Sequence, residues 1–147
     1  MVAHPAVVVP CVKCGRKNRI VSPAEGVPRC AVCHAALPWI VEADDTTIDI
    51  ELRTTLPVLA DHWAPWCAPC LAISTAVNKL GHDYAGRLKV VKVNIDRARG
   101  VVERYQIESI PLLVVYRHGE EVSRRLGAMP AVPMRKWLEQ CLSQQPV

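Results

Sequence analysis

The chain has 147 residues, and half of them are hydrophobic, which is enough for one substantial core and one small additional module. This composition excludes a disordered chain, and no apolar run is long enough to cross a membrane. The formal net charge of +4 arises in residues 1–38, which hold five basic residues and one acidic residue, while the rest of the chain is balanced.

Two Cys-x-x-Cys pairs dominate residues 1–38. They are separated by 15 residues and consist of Cys11, Cys14, Cys30 and Cys33. Each pair can offer two sulfurs to one metal ion, and Pro23, Gly26 and Pro28 allow the chain between the pairs to turn back. We therefore expect one structural zinc ion rather than two disulfides. A segment this short depends on the metal to fold.

Other features of residues 1–38 have simpler explanations than function. His4 and His34 lie near the cysteine pairs, but four cysteines already complete a structural zinc site. Clustered basic residues can bind nucleic acid, yet here they can offset the roughly two negative charges of a zinc tetrathiolate. The segment also lacks interleaved aromatic residues for stacking on bases, so we do not expect a nucleic-acid partner.

The cysteine content indicates a reducing compartment. Seven cysteines, an odd number that falls mostly into tightly spaced pairs, argue against a secreted disulfide scaffold. Residues 1–10 lack the basic start and the apolar core of a signal peptide. We expect a cytoplasmic monomer with no membrane partner.

After residue 38, strand and helix patterns alternate. The predicted elements are a strand at 39–42, a helix opened by Asp44 or Asp45 and closed by Pro57, a buried strand at 58–63, a helix at 67–81, a strand at 88–95 and a short helix through Val101, Val102 and Tyr105. Two further runs, 112–116 and 121–126, flank a turn at 118–120 and predict a hairpin. The chain ends in a predicted helix from 130 or 131 to 143, whose buried face consists of Met134, Trp137, Leu138 and Cys141. This order predicts an α/β fold with a mixed sheet between helices.

The segment Cys67-Ala68-Pro69-Cys70 follows a predicted strand and opens a predicted helix. Cysteines at this spacing can close a small disulfide ring, and a helix N-terminus favours the thiolate form of the first one. Because a thiolate is the attacking species in disulfide exchange, we interpret Cys67 as an exposed nucleophile and Cys70 as the resolving thiol. The alternatives are a structural disulfide and a second metal site.

The seventh cysteine, Cys141, has no partner at a useful spacing. We expect it to be a small buried hydrophobic side chain, with a regulatory thiol as the alternative.

The motif Trp66-Cys67-Ala68-Pro69-Cys70, with Asp61 upstream and Ile110-Pro111 downstream, resembles the thioredoxin family. Together with the four N-terminal cysteines, the resemblance covers nearly the whole chain and narrows to the bacterial thioredoxin 2 type with its zinc-binding extension. It implies a thioredoxin fold at residues 39–147 and a small zinc-ribbon-like module at residues 1–38. It also implies a protein-disulfide reductase that acts on disulfide-containing client proteins and is recycled by thioredoxin reductase and NADPH.

The resemblance also implies roles for individual residues. Asp61 corresponds to a buried carboxylate that exchanges a proton with Cys70, and Lys92 corresponds to a lysine near that carboxylate. Pro111 corresponds to a cis-proline opposite the cysteines. The residues implied to contact clients are Trp66, Ala68, Pro69, Ile110, Pro111 and Gly127.

Three positions depart from the family pattern, since Ala68 replaces a glycine, His62 a phenylalanine and Leu112 a threonine. We expect Ala68 to tune the balance between dithiol and disulfide. His62 is expected to face solvent, although its position beside Asp61 could alter the proton affinity of that residue. The sequence leaves two other functions open, a zinc-module adaptor for protein or nucleic acid and a redox sensor that releases zinc on oxidation.

Overall fold

The computed structural model describes residues 4–143. The strands are β1 (Ala6–Pro10), β2 (Lys17–Val21), β3 (Trp39–Ala43), β4 (Val58–Trp63), β5 (Lys89–Asn94), β6 (Leu112–Arg117) and β7 (Glu120–Leu126). The helices are α1 (Ile48–Leu52), α2 (Ala68–Asp83), α3 (Arg99–Arg104) and α4 (Ala131–Ser143), with a 3-10 turn at Ile95–Arg97. None of the helices in this part of the chain has the length and apolarity that a membrane span requires.

Five strands form one mixed sheet in the order β3-β5-β4-β6-β7. The first three run parallel, while β6 is antiparallel to β4, and β7 is antiparallel to β6. Parallel neighbours require helical crossovers, which α1 and α2 provide, whereas the β6–β7 hairpin needs only the turn at His118 and Gly119. The prediction of an α/β fold with a mixed sheet between helices is confirmed.

Helices cover both faces of the sheet, and the central strand β4 is buried throughout. Because successive residues of a strand face opposite sides, Leu59 and Ala60 belong to different hydrophobic clusters. Leu59 lies in a cluster with Val77 of α2 and Leu138 of α4. Ala60 lies in the other cluster, with Val101 of α3. A strand buried on both faces is typically a continuous apolar run, and in β4 this run is limited to its first half, Val58 to Ala60.

Residues 4–38, which we call the N-terminal module, contain the antiparallel hairpin of β1 and β2 and the loop with the second cysteine pair. Leu37 is buried in the same hydrophobic cluster as Trp39 of β3. The amide of Gly26 donates a hydrogen bond of 2.9 Å to Oγ1 of Thr55, just before β4. The module therefore packs at the end of the sheet where the parallel strands begin, opposite the end from which the chain leads into α2.

A buried ion pair lies where the module meets the sheet. Nζ of Lys89, the first residue of β5, is fully buried and donates hydrogen bonds to Oε1 and to the backbone carbonyl of Glu51 in α1, at 2.9 and 2.6 Å. It also donates to Oγ of Ser22 at 3.4 Å and lies 4.1 Å from the centre of the Trp39 ring. Burial lowers the pKa of Lys89, and the Glu51 carboxylate opposes that shift. The alternating pattern of residues 88–95 did not predict this pair.

Helix α1 begins later than predicted. Asp44, one of the two predicted caps, does cap the preceding turn, since its Oδ1 accepts hydrogen bonds from the amides of Thr46 and Thr47 at 2.9 and 3.1 Å. The regular helix starts only at Ile48, and the other candidate, Asp45, is not its cap.

The same helix also ends earlier than predicted, at Leu52 rather than at Pro57. Oγ1 of Thr54 accepts a hydrogen bond from the amide of Leu56 at 3.2 Å, which offers the backbone a turn in place of helix. The residue before a proline is in addition disfavoured in helical conformation. The remaining boundaries lie within two residues of the predicted ones.

Substitution of Glu51 tests the contribution of the buried ion pair. Glu51→Ala leaves Lys89 as an uncompensated buried charge, and we expect the free energy of unfolding to fall by about 3–5 kcal/mol. The matched control is Asp49→Ala on the same helix, which removes the exposed pair with Arg104 and should cost about 1 kcal/mol or less. Urea unfolding of both variants measures the difference, and equal losses would contradict the assigned role.

Candidate active site and metal centre

The two cysteines of the predicted redox site form a disulfide, and their Cα atoms are 5.2 Å apart. Cys67 is the N-cap residue of α2, and its Sγ accepts a hydrogen bond from the amide of Cys70 at 3.3 Å. Pro69 lies in the first turn of the helix, where the N–H that proline lacks has no helical partner. After reduction, the amide of Cys70 is positioned to stabilise a thiolate at Cys67.

The prediction that Cys67 is exposed is wrong for the disulfide form. Its residue surface is only 5% exposed, and Cys70 is 1% exposed. Both cysteines form a small cluster with Ala64, against which Trp63 and Ile110 pack. A position at a helix N-terminus does not by itself make a side chain accessible, because residues distant in the chain can pack over it. Little of the surface of Cys67 is therefore accessible to a client disulfide in this form.

Asp61 lies under the N-terminal half of α2. It occupies the same face of β4 as Leu59, two residues earlier, and Leu59 shares a hydrophobic cluster with Ile73. Ile73 follows Cys70 by three residues, so it is on the same side of the helix. Asp61 is 1% exposed, and its Oδ1 makes no hydrogen bond within the described residues 4–143. The expectation of a buried carboxylate at this position is confirmed.

The buried position of Asp61 favours the protonated form of its carboxyl group. Burial raises the pKa of Asp61 to about 6, and the charge of Lys92 opposes that shift. Lys92 lies opposite Asp61 in the β4–β5 register, and its Nζ donates a hydrogen bond of 3.0 Å to Oγ of Ser74 in α2. A carboxyl group that titrates near neutral pH can both accept and return a proton under working conditions.

A cis-proline loop lies against the cysteine pair. The Ile110–Pro111 peptide bond is cis, as the resemblance implied, and Ile110 packs against the cluster that contains both cysteines. The carbonyl of Pro111 accepts a hydrogen bond of 2.9 Å from the amide of Gly127. Gly127 has a φ of 95°, which favours glycine, and no atom lies within 4 Å of the place where a side chain would begin. The two segments therefore form one open surface beside the disulfide.

Three more of the predicted contact residues precede or follow Cys67. Ala68 and Pro69 are exposed, and Trp66 is 68% exposed. The indole Nε1 of Trp66 donates to both carboxylate oxygens of Asp96 at 3.1 Å. This contact holds an otherwise free aromatic ring beside the site, where it offers a large apolar surface.

His62 does not face solvent, so that expectation is wrong. It is 2% exposed, and its Nδ1 lies 3.0 Å from the carbonyl oxygen of Leu112, the residue after the cis-proline. Burial lowers the pKa of His62 to about 4, so at neutral pH the ring is uncharged and Nδ1–H donates to that carbonyl. A polar side chain was expected to face out, but residues on both faces of β4 pack into hydrophobic clusters. Two of the three departures from the family pattern are thus joined by a hydrogen bond.

The four cysteines of the N-terminal module converge on one point. Their Sγ atoms all lie within 4.8 Å of one another, with Cys11 and Cys33 3.5 Å apart and Cys14 and Cys30 3.5 Å apart. Tetrahedral zinc with sulfur ligands at about 2.3 Å requires sulfurs about 3.8 Å apart. No disulfide joins any two of these four residues. The arrangement fits one tetrahedral metal ion.

Backbone hydrogen bonds within this cluster favour the thiolate form of Cys30. The amide of Val32 donates to Sγ of Cys30 at 3.4 Å. Backbone hydrogen bonds from Cys33 and then Val32 lower the pKa of Cys30 to about 6, which favours the thiolate that metals bind. Neither His4 nor His34 belongs to the cluster, in agreement with the sequence analysis.

Some residues of the site were not predicted. Asp96 lies just beyond the end of β5, at the same end of the sheet as the cysteines. Its position after a parallel strand could have indicated that it belongs to the site. Ser74 follows Cys70 by four residues and so lies on the same helix face. Cys141 is 1% exposed in the core between α2 and α4, which confirms the expectation of a buried hydrophobic side chain.

Comparison with known proteins agrees with this geometry. The family model for thioredoxin matches residues 40–140. Thioredoxin 1 of a Nostoc species is 39% identical over 102 residues, which cover 69% of this chain and 95% of that protein. Thioredoxin C-2 of Corynebacterium nephridii is 36% identical over 102 residues, which cover 69% of this chain and 94% of that protein.

A longer match is found with a chloroplast protein. The M-type thioredoxin of Chlamydomonas reinhardtii is 36% identical over 120 residues, which cover 82% of this chain and 85% of that protein. The family model begins at residue 40, so the N-terminal module lies outside it. With the disulfide, the buried carboxylate and the cis-proline in one site, these matches establish that the chain belongs to the thioredoxin family of thiol-disulfide oxidoreductases.

Proposed function

We propose that this protein is a protein-disulfide reductase that uses the Cys67-Ala68-Pro69-Cys70 motif and is recycled by thioredoxin reductase. The observation that supports this most strongly is the disulfide at the N-terminus of α2, with the buried Asp61 on the strand face beneath that helix. An exchange-active dithiol needs one stabilised thiolate and one group that takes a proton from the second thiol, and we assign these roles to Cys67 and Asp61.

The reaction proceeds by two exchanges. The Cys67 thiolate attacks one sulfur of the client disulfide, whose S–S bond breaks, so that a mixed disulfide forms and the client's other sulfur leaves and takes up a proton. Asp61 then accepts the proton of Cys70, and the Cys70 thiolate attacks Sγ of Cys67. The second client sulfur leaves as a thiol, and Cys67–Cys70 becomes the disulfide. Two electrons from NADPH, delivered by thioredoxin reductase, restore the dithiol.

Client binding is assigned to the surface around the disulfide. The exposed ring of Trp66 provides apolar contact, and the backbone of Ile110 offers hydrogen bonds to an extended client segment. Gly127 leaves open space where that segment approaches, because no side chain fills it. Ala68 and Pro69 complete the exposed rim on the helix side.

The four cysteines of the N-terminal module are assigned one structural zinc ion. The sulfur separations and the thiolate-favouring backbone support a Cys₄ zinc site, in which the four sulfurs fill all four coordination positions. Zinc bound there would stabilise the fold of residues 1–38, which we treat as a module distinct from the thioredoxin domain at residues 39–147. Four free thiolate ligands fit a reducing compartment such as the cytoplasm.

Reduction of insulin tests this function. With NADPH and thioredoxin reductase, the wild-type protein should reduce insulin, whereas Cys67→Ser should lose all activity above background because the attacking thiolate is absent. Both proteins should hold one zinc ion per chain, measured by a colorimetric chelator after thiol modification. A wild-type protein that binds zinc but does not reduce insulin would contradict the proposed function.

The buried carboxylate should also set the pH dependence of stability. The pKa of Asp61 is raised to about 6 from 3.8, so the folded state binds more protons than the unfolded state between about pH 4 and pH 6. Stability therefore falls as pH rises through this window. Asp61→Asn should raise the free energy of unfolding of the oxidised protein by roughly 3 kcal/mol at pH 8 and by nothing below about pH 4.

Glu108→Gln, at an exposed carboxyl group, is the matched control and should change stability by less than about 0.5 kcal/mol at pH 8. Denaturant unfolding at a series of pH values measures both variants. A gain from Asp61→Asn that does not depend on pH would show that the raised pKa is not its cause.

A further inference from the structure

The N-terminal module carries a cationic groove that neither the redox site nor the metal cluster uses. The groove has a volume of about 420 Å³ and is lined by four basic side chains, from Arg16, Lys17, Arg19 and Arg29. All four residues are exposed. Glu25 is the only acidic residue among those that line it.

The charges of the groove are not neutralised within the described part of the chain. All six ion pairs found there lie between residues 49 and 139, and none involves a basic residue of the module. Arg29 donates one hydrogen bond to the carbonyl of His34, which leaves its charge unpaired. A zinc tetrathiolate would subtract about two charges from five basic residues and one acidic residue, and would leave the module positive.

The form of the groove favours a polypeptide over nucleic acid. Its lining includes the buried apolar side chains of Ile20 and Leu37, so it combines an apolar base with a cationic rim. Residues 4–38 contain no phenylalanine, tyrosine or tryptophan on which bases could stack. A groove of this size accommodates a few side chains, which suits a short segment with alternating acidic and apolar residues.

The groove and the redox site belong to opposite ends of the sheet. The module contacts Thr55 and Lys89, just before or at the start of parallel strands, whereas Cys67 follows the far end of β4. The six residues of β4 span about 20 Å. An extended chain needs at least about six residues to cover that distance.

From these observations we propose that the cationic groove of the N-terminal module binds an acidic segment of client proteins and so holds the client disulfide near Cys67. This inference rests on the proposed reductase function, because it names the class of client. Binding of the acidic segment raises the effective concentration of the tethered disulfide, so the effect appears in KM and requires a linker long enough to reach the site.

Direct binding is tested without any redox step. The probe is a fluorescein-labelled peptide of about ten residues in which aspartate and glutamate alternate with leucine, and it contains no cysteine. Zinc-loaded wild-type protein should raise its anisotropy at about 0.05 M salt, and binding should weaken at least tenfold at about 0.5 M. Arg16→Glu with Arg19→Glu should weaken binding about tenfold or more, whereas the control pair Arg99→Glu with Lys136→Glu should leave it unchanged.

If the charge reversals prevent folding, the double variant Arg16→Gln with Arg19→Gln replaces them. Zinc content and circular dichroism show whether each variant is folded. The neutral pair should also weaken binding, by less than the reversals do. Labelled single- and double-stranded oligonucleotides are measured in parallel. Tighter binding to either oligonucleotide than to the peptide would overturn the proposal in favour of nucleic acid. Peptide binding that the groove variants do not weaken would overturn it altogether.

A kinetic experiment connects the groove with turnover. A disulfide peptide joined to the acidic segment by a Gly/Ser linker of about 12 residues should show a KM at least threefold lower than the same peptide without the segment. A linker of about three residues should give no gain. Insulin reduction without any effect of the acidic segment would remove this inference and leave the proposed function intact. Peptide binding without insulin reduction would remove the proposed function, and with it the role of the groove in holding clients, and would leave only a groove that binds acidic peptides.

Discussion

The structure depends on the burial of β4 on both of its faces. Such a strand has no solvent side, so its two consecutive polar residues, Asp61 and His62, are buried on opposite sides of the sheet. Desolvation disfavours the charged form of each, which raises the pKa of Asp61 and lowers that of His62. The same packing that stabilises the fold thus gives a carboxyl group of raised pKa beneath α2 and a neutral hydrogen-bond donor beside the cis-proline.

The two faces of β4 act on different parts of the site. On the α2 side, Asp61 is balanced by Lys92, which is itself held by Ser74. On the other side, His62 holds the carbonyl of Leu112 and therefore the strand that follows the cis-proline. A phenylalanine at position 62 could fill similar volume but could not donate this hydrogen bond. The departure at position 62 therefore adds a hydrogen bond to the backbone of residue 112 that does not depend on the side chain there.

The four-cysteine cluster of the N-terminal module stands apart from this chemistry. The N-terminal module packs where the parallel strands begin, and the Lys89–Glu51 pair with Ser22 ties it to the sheet there. Its four sulfurs and the Cys67–Cys70 disulfide therefore belong to opposite ends of one sheet. The seven cysteines are divided into a cluster of four that fits a metal ion, a disulfide pair and one buried hydrophobic side chain.

Much of the fold and the two cysteine sets could be predicted from the sequence, because their signals are local. Spacing defined the metal cluster and the redox pair, and the strand before Cys67 was predicted with its observed bounds. Burial of His62 and of Cys67 could not be predicted in this way, because it depends on elements far away in the chain. The end of α1 and the ion pair between Lys89 and Glu51 could not be predicted for the same reason. The boundary at residue 38 and the individual catalytic roles remain predictions.

The most direct test of the central claim, that one cysteine pair carries out exchange while the other set holds metal, is to trap the mixed disulfide. Cys70→Ser keeps Cys67 but removes the thiol that resolves the intermediate. After incubation of the reduced variant with a disulfide peptide, peptide mapping by mass spectrometry should find the adduct on Cys67 alone, with one zinc ion retained. An adduct on any of the four module cysteines with Cys67 unmodified, or zinc release in step with adduct formation, would contradict the account.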